Sequence, residues 1–283
     1  MITFKTLSSG ITVLTLCNKH ATAEVSLYGG QVLSFKPKNK NDILFVSEKS
    51  LFTPGKAIRG GIPVCWPWFG PHATEKDFPV HGFVRTTNWR LAGSEENGKC
   101  TTVTLECVSS PETKKFWPHD FTLSVTVSVG KTLDLAITTK NDTSETINIT
   151  DAFHTYYRVS EIADVSVKGF DGSLYIDRVG ERTQRTQDGD IVISGETDRV
   201  YLGGKKCVVS DSAAKRTVTV EKDGFPDTIV WNPWIERAKA MADFDDEEYR
   251  KMICVEAGSA LDNKIELSPG ASVTQKMTII PRG

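Results

Sequence analysis

Hydrophobic and polar residues alternate with a period of two along most of the chain. The alternation is clearest in TTVTLECV at 101–108, FTLSVTVSV at 121–129, KTLDLAITTKN at 131–141 and INITDAF at 147–153. Such alternation predicts half-buried strands whose apolar side chains share one face. Because the turn signals Gly130-Lys131 and Asn141-Asp142 separate these strands, we expect antiparallel neighbours in stacked sheets.

Shorter runs of the same character recur along the rest of the chain. They cover residues 11–16, 23–27, 191–193, 217–220 and 252–255. The one helical candidate is the segment 243–252, DFDDEEYRKM, because acidic residues in a first turn suit the helix dipole. No internal repeat, low-complexity linker or change of composition marks a domain boundary. We therefore predict an all-β fold, a large antiparallel β-sandwich in which residues 1–283 form a single domain.

The composition is that of an ordinary globular protein of 283 residues, with 39% hydrophobic and 25% charged residues. A net charge of −2 provides no basic field for nucleic acid or an anionic membrane surface, so we expect neither as a partner. No apolar run approaches the roughly 18 residues of a membrane helix, and the N-terminus lacks a signal-peptide pattern. The six cysteines have no metal-binding spacing. We expect a metal-free, cytoplasmic monomer.

The segment 57–85, AIRGGIPVCWPWFGPHATEKDFPVHGFVR, is richer in aromatic residues, glycine and proline than ordinary surface loops. Gly60 and Gly61 would let the backbone approach a ligand closely. Trp66 and Trp68 would offer apolar faces to the C–H surface of a sugar. The alternative is a proline-rich turn with core tryptophans, but the clustering of these residue types favours a binding site.

Two arginines lie at the ends of this segment. Arg59 and Arg85 carry planar guanidinium groups, whose geometry matches carboxylate or phosphate. Either arginine alone could be a solvated surface residue. Because the net charge is slightly negative, a small anionic ligand would need a local cationic pocket of this kind.

Two titratable residues lie at the ends of strand-like runs. Continued alternation in DAFHTYY places His154 on the strand face that carries Ala152 and Tyr156. An imidazole there could donate or accept a proton, or it could be a structural histidine bonded to the backbone. Glu256 follows the apolar run 252–255 and is either surface-facing or held in a partly dry pocket. In the second case its raised pKa would make it a usable general base.

Two further residues are weaker candidates. Asp198 belongs to TDR at 197–199, a predicted turn in which turn capping is the alternative to ligand binding. Trp231 in WNPW is either a stacking wall for a ligand or an anchor for a turn. The chain contains no GxGxxG, no P-loop and no GxSxG motif.

Six motifs follow one another along the chain: RGGIPVCWPWFGP, HGFVR, DAFHTYY, TDR, VWNPW and VCVEAG. Together they resemble the hexose-6-phosphate mutarotases, which are glucose-6-phosphate 1-epimerases of the aldose 1-epimerase superfamily. The resemblance implies a galactose-mutarotase-like β-sandwich with its site in a cleft on one concave sheet. It also implies that His154 and Glu256 are the catalytic histidine and glutamate.

The same resemblance implies a set of substrate-binding residues for a small sugar phosphate. Arg59 and Arg85 are expected near its phosphate or hydroxyl groups. His81 should lie beside the sugar, and Asp198 should accept a hydrogen bond from a hydroxyl. Trp231 in the VWNPW motif completes the set.

Two positions depart from the family pattern. Val80 stands where glutamine is common, so a hydrogen bond to the ligand is lost or moved and the substrate preference is affected. Ala257 stands where proline is common, and this change should only loosen the turn after Glu256.

Exchange of anomers requires removal of a proton from the C1 hydroxyl and delivery of another to the ring oxygen. We expect Glu256 to be the base and His154 the acid, on opposite sides of the ring, without metal or cofactor. The main alternative is a non-catalytic sugar-phosphate-binding protein on the same fold. A glycosidase or lyase could also share the fold, although a glycosidase usually needs two carboxylates.

Overall fold

The computed structural model describes residues 1–283, and strands make up most of its regular structure. In chain order the strands are β1 (Ile2–Thr6), β2 (Thr12–Cys17), β3 (Ala21–Ser26), β4 (Gln31–Pro37), β5 (Val64–Cys65), β6 (Arg90–Glu96), β7 (Thr101–Val108), β8 (Phe121–Val129), β9 (Leu133–Asn141), β10 (Ile147–Ile149), β11 (Asp151–Phe153), β12 (Tyr156–Arg158), β13 (Val165–Lys168), β14 (Leu174–Asp177), β15 (Thr183–Thr186), β16 (Ile191–Val192), β17 (Thr197–Leu202), β18 (Lys206–Asp211), β19 (Arg216–Asp223), β20 (Asp227–Asn232), β21 (Met252–Ser259), β22 (Ile265–Leu267) and β23 (Ser272–Arg282). The single α-helix is α1 (Trp234–Lys239), and the 3₁₀ turns are Val84–Thr86, Thr113–Lys115, Ile162–Asp164 and Glu248–Lys251. None of these helices has the length and apolar character needed to span a membrane.

Two large sheets carry the architecture. The nine-stranded sheet has the order β16-β13-β18-β19-β23-β9-β8-β7-β6. The eight-stranded sheet has the order β15-β14-β17-β20-β21-β11-β5, and β12 also pairs with β21. A four-stranded sheet, β1-β2-β3-β4, and a two-stranded one, β10-β22, complete the fold. Neighbouring strands pair in antiparallel fashion, which confirms the predicted antiparallel β-sandwich.

The apolar core lies between the two large sheets, as the alternation predicts. In β8 every second side chain from Phe121 to Val129 is buried, and its partner β9 repeats the pattern. The eight-stranded sheet contributes Phe153, Val230 and Val255 to the same core, which comprises 51 buried residues. Side chains alternate between the two faces along a strand, so the neighbours of Val230 in β20 and of Val255 in β21 face the other side of the sheet.

The helix prediction at 243–252 is wrong. This segment contains only the 3₁₀ turn Glu248–Lys251, followed by the start of β21 at Met252. Its acidic side chains bind other groups instead: Asp245 pairs with Lys49 at 2.9 Å, and Glu248 Oε2 accepts the Asp245 N–H. The segment lacks the periodic apolar residues of a helix face, and acidic residues in a first turn do not by themselves stabilise a helix.

Two interpretations of the segment 57–85 are also corrected. Trp66 is fully buried between the sheets and donates its indole N–H to Thr139, so it faces no ligand. A Cβ on Gly60 would lie 2.4 Å from the Phe45 carbonyl oxygen, and one on Gly61 would lie 2.2 Å from that of Val32. The two glycines therefore admit the protein's own backbone.

Asp198 lies in a strand and not in the predicted turn. It belongs to β17, where Asp198 is opposite Trp231 of β20. A strand position fixes the direction of its side chain through the pleat, so Asp198 shares a sheet face with Trp231.

Candidate active site

A cavity of about 350 Å³ lies on the outer face of the eight-stranded sheet. It is lined by all seven residues that the family resemblance assigns to the site: Arg59, His81, Arg85, His154, Asp198, Trp231 and Glu256. Its size falls in the range of small-molecule sites. The structure thus brings together residues that lie almost two hundred positions apart in the chain.

Strand register places the two candidate catalytic residues opposite each other. Phe153 of β11 pairs with Ala257 of β21, and Tyr156 of β12 pairs with Cys254. Between these pairs the register sets His154 directly across from Glu256. Residues directly opposite in an antiparallel pair project to the same face, so both side chains point into the cavity.

The two side chains are close, buried and short of partners. His154 Nδ1 lies 3.5 Å from Glu256 Oε1. His154 is 7% exposed and Glu256 is 1% exposed. His154 Nδ1 and Glu256 Oε2 are both shielded from solvent and have no hydrogen-bond partner. Buried polar atoms without partners are uncommon in native proteins, and here two of them mark one spot on the cavity wall.

Burial shifts the pKa values of this pair in opposite directions. Loss of solvation, helped by the positive charges of Arg85 and Arg59, holds the pKa of His154 well below its usual 6.5. Loss of solvation, with a contribution from Asp198, raises the pKa of Glu256 well above its usual 4.5. Both shifts disfavour the charged forms. Together the shifts favour the neutral pair, a carboxyl group beside an uncharged imidazole.

Aromatic side chains fix the position of the His154 ring. Tyr156 stacks on it with ring centroids 4.9 Å apart and an interplanar angle of 12°. Trp231 and His81 approach it edge-on, at 6.0 Å and 5.4 Å. The backbone is held as well, since the His154 N–H donates to the Pro63 carbonyl at 2.9 Å. The imidazole therefore has little freedom to rotate away from Glu256.

His81 has a defined tautomer. Its Nδ1 accepts a hydrogen bond from the Gly70 N–H at 3.1 Å, which leaves Nε2 to carry the proton. Burial, followed by the charge of Arg85, lowers its pKa well below 6.5, so the ring is a neutral hydrogen-bond donor. Such a donor suits a sugar hydroxyl or ring oxygen.

Four guanidinium groups line the cavity, and three of them have a carboxylate partner. Arg59 pairs with Asp243 at 3.1 Å, Arg178 with Asp198 at 3.8 Å, and Arg237 with Glu196 at 3.4 Å.

Arg85 is the fourth guanidinium group, and it differs from the others. It donates to the Val80 carbonyl at 2.7 Å, and its buried Nε has no partner. Arg85 is thus the cation that no carboxylate neutralises. Val80, the departure from the family pattern, contributes its backbone oxygen here and exposes its side chain at the cavity.

One group of donor atoms has the composition of a metal site. Donor atoms of His154, Cys254 and Glu256 lie within 4.8 Å of one another. Cys254 is fully buried, and burial, followed by the charge of Glu256, raises its pKa well above the usual value. Its neutral thiol therefore packs as a small apolar group beside Trp231.

Several cavity residues had no signal in the sequence. Arg178 follows β14, and Arg237 lies in α1. Met241 lines the cavity as well, in the segment just before Asp243. Isolated arginines and a lone methionine carry no spacing pattern, so only the folded arrangement identifies them. Tyr156 could have been identified, because strand alternation places it on the same face as His154.

Several known proteins that are similar to this chain are epimerases or mutarotases by family or by name. A family described as "Aldose 1-epimerase" matches residues 12–279. A protein of Cenchrus ciliaris named "Putative glucose-6-phosphate 1-epimerase" is 39% identical over 263 residues, covering 89% of this chain and 79% of that protein. A protein of Escherichia coli K12 with the same name is 37% identical, covering 92% and 87%. The crystal structure of a "putative mutarotase" from Salmonella typhimurium superposes with a TM-score of 0.93 at 32% identity, covering 99% of this chain and 93% of that one.

Proposed function

Since this chain belongs to the aldose 1-epimerase family and is therefore an isomerase, we propose that it is a glucose-6-phosphate 1-epimerase that interconverts the α and β anomers of hexose 6-phosphates. One observation carries the proposal: an imidazole and a carboxyl group lie 3.5 Å apart on the wall of a cavity that also contains an unneutralised arginine. The names of the relatives point to the same substrate.

Ring opening moves two protons and breaks one bond. The Glu256 carboxylate takes the proton of the C1 hydroxyl, the bond between C1 and the ring oxygen breaks, and the His154 imidazolium protonates that oxygen. The product is the open-chain aldehyde. Rotation about the C1–C2 bond presents the other face of the carbonyl, and the reverse transfers close the ring. Each positioned proton transfer typically contributes about 10²- to 10⁴-fold to the rate.

The proton that this cycle needs is already present in the neutral pair, on the carboxyl group of Glu256. Its transfer from Glu256 to His154 over the 3.5 Å gap produces the carboxylate and imidazolium that the reaction needs. The raised pKa of Glu256 makes its carboxylate a stronger base, and the lowered pKa of His154 makes its imidazolium a stronger acid. Burial thus increases the reactivity of both groups toward weakly acidic and weakly basic oxygens.

The sequence predicts that the two groups approach the sugar ring from opposite sides. In the structure they lie side by side, 3.5 Å apart. The C1 hydroxyl oxygen and the ring oxygen are both bonded to C1, so two adjacent groups can serve them. The proposal therefore keeps the roles of His154 and Glu256 and changes only their direction of approach.

The other cavity residues account for binding. We assign the phosphate to the guanidinium groups of Arg85 and Arg59, with Arg85 the stronger anchor because no carboxylate offsets its charge. His81 Nε2 donates to a sugar oxygen, and Asp198 accepts from a hydroxyl. Trp231 offers an apolar face to the ring.

We also propose that residues 1–283 act as one domain. One hydrophobic core extends from Leu14 to Ile279, which supports this assignment. A cytoplasmic location and a monomeric state stay predictions from the sequence.

A coupled assay tests the function. Pure α-glucose 6-phosphate is mixed with a dehydrogenase that oxidises only the β anomer, with and without this protein. The proposal predicts NADPH formation above the spontaneous rate and a lower rate with unphosphorylated glucose. Binding of glucose 6-phosphate without acceleration would instead indicate a non-catalytic sugar-phosphate-binding protein. Galactose and mannose 6-phosphates then establish the substrate range.

A further inference from the structure

Arg59 enters the cavity already bound to a carboxylate. Its Nε donates to Asp243 Oδ2 at 3.1 Å and its Nη2 to Asp243 Oδ1 at 3.3 Å. A third N–H, on Nη1, donates to the Tyr156 hydroxyl at 3.2 Å. This bidentate contact uses one edge of the guanidinium group and leaves its outer N–H groups for the cavity.

Asp243 is held in place by its neighbours. Phe244 is 1% exposed and packs against Phe45 with ring centroids 5.9 Å apart. Asp245 pairs with Lys49, and Glu248 Oε1 accepts the Glu48 N–H at 2.8 Å. Because the segment that follows Asp243 is anchored, the Asp243 carboxylate cannot easily move away when a ligand enters.

Because the Arg59–Asp243 pair is partly buried, its net charge affects how strongly an anion binds in the cavity. The side chains of Arg59 and Asp243 are 25% and 23% exposed, so water screens them only in part. A carboxylate at this distance cancels most of the attraction that Arg59 would exert on an anion in the cavity. Arg85 has no such partner.

We propose that Asp243 is a specificity-determining residue, which acts through Arg59 to weaken the binding of the phosphate group. The inference rests on the proposed function. Substrate and product are both hexose 6-phosphates and carry the same phosphate, so tight phosphate binding stabilises both equally and does not accelerate the reaction. A counter-charge on one of the two phosphate-facing arginines keeps phosphate recognition while limiting that uniform binding.

The test is a binding comparison that involves no turnover. The ligands are 1,5-anhydroglucitol 6-phosphate, which lacks the anomeric hydroxyl, and its neutral parent 1,5-anhydroglucitol. In Asp243→Asn the amide oxygen still accepts a hydrogen bond from Arg59, but the negative charge is gone. We expect the phosphorylated ligand to bind roughly 3- to 10-fold more tightly than to the unaltered protein, with a steeper salt dependence. Binding of the neutral ligand should not change.

Asp246→Asn is the matched control, because Asp246 lies three residues away, is exposed and does not line the cavity. It should leave both affinities unchanged. Equal weakening of both ligands by Asp243→Asn, or no change in either, would overturn the inference. If the unaltered protein itself does not prefer the phosphorylated ligand, the proposed substrate class is wrong, which is a separate outcome.

Discussion

His154 and Glu256 are cross-strand neighbours, and their Nδ1 and Oε1 atoms lie 3.5 Å apart on a wall where His154 Nδ1 and Glu256 Oε2 have no hydrogen-bond partner. The antiparallel register that makes them neighbours also turns both side chains away from the core and toward the cavity. Sheet geometry therefore supplies the acid and the base together, and the aromatic rings around His154 keep them aligned.

The ionisation of His154 provides the first prediction. Burial holds its pKa well below 6.5, so the imidazole stays neutral at pH 6.5 and gains a proton only as the pH falls further. NMR titration of the five histidines, with His154→Gln to assign the signal, should show this ring titrating below pH 6.5. A midpoint at or above 6.5 would show that His154 and Glu256 form an ion pair in the protein without substrate.

The Glu256 carboxyl group should make the folded protein less stable as the pH rises. Its pKa is raised in the folded protein, so its contribution is most favourable below pH 4.5 and declines as the pH rises toward the folded value. The isosteric Glu256→Gln variant should therefore melt at a higher temperature than the unaltered protein. The free-energy difference should grow with pH by up to about 1.4 kcal/mol per unit.

Calorimetry at pH 5 and pH 8 measures this effect. A gap in melting temperature that is the same at both values, or a less stable variant at pH 8, would contradict the buried, uncharged state of Glu256. Glu221→Gln is the control, because Glu221 forms an exposed ion pair with Lys206 and should show little change.

Arg85 should determine the preference for phosphorylated substrate. A charge-assisted hydrogen bond contributes about 1.5–3 kcal/mol, so Arg85→Gln should reduce the ratio of kcat/KM for glucose 6-phosphate over glucose roughly 10- to 100-fold. Arg90→Gln, which removes an exposed arginine bound to Glu106, should leave the ratio unchanged. Equal losses of kcat/KM on both substrates would contradict the assignment of the phosphate to Arg85.

Two of the tryptophans that the motifs suggest for binding, Trp66 and Trp231, should behave differently. Trp66 lies in the core, so Trp66→Ala should cost about 3–5 kcal/mol of stability, with KM unchanged in the protein that remains folded. Trp231 lines the cavity, so Trp231→Ala should raise KM. Chemical denaturation and steady-state kinetics on both variants separate the two effects, and a raised KM in Trp66→Ala would contradict the core position.

Local regularities explain what the sequence could predict. Strand alternation has a fixed period, so it identified β8 and β9 and placed His154 on the correct strand face. The pairing of β11 and β12 with β21 joins segments about a hundred residues apart. No local pattern encodes that register, so the contact between His154 and Glu256 needed the folded structure.

The remaining errors share a physical cause. Trp66 and Trp231 look alike in sequence, and only the side of the sheet on which each lies separates core from cavity. The helix predicted over 243–252 includes Asp243 because its charge suits a first turn, whereas the Asp243 carboxylate binds Arg59, a residue far away in the chain. An ion pair between residues far apart in the chain has no signature in the local spacing of the sequence.

Turnover by the single and double variants of the catalytic pair tests the central claim most directly. Exchange between α- and β-glucose 6-phosphate, measured by NMR, should fall about 10²- to 10⁴-fold in His154→Gln and in Glu256→Gln. The double variant should be little worse than either, because the two groups act as a unit. Binding of 1,5-anhydroglucitol 6-phosphate should persist in all three. Near-full exchange in either single variant, with that binding intact, would contradict the account.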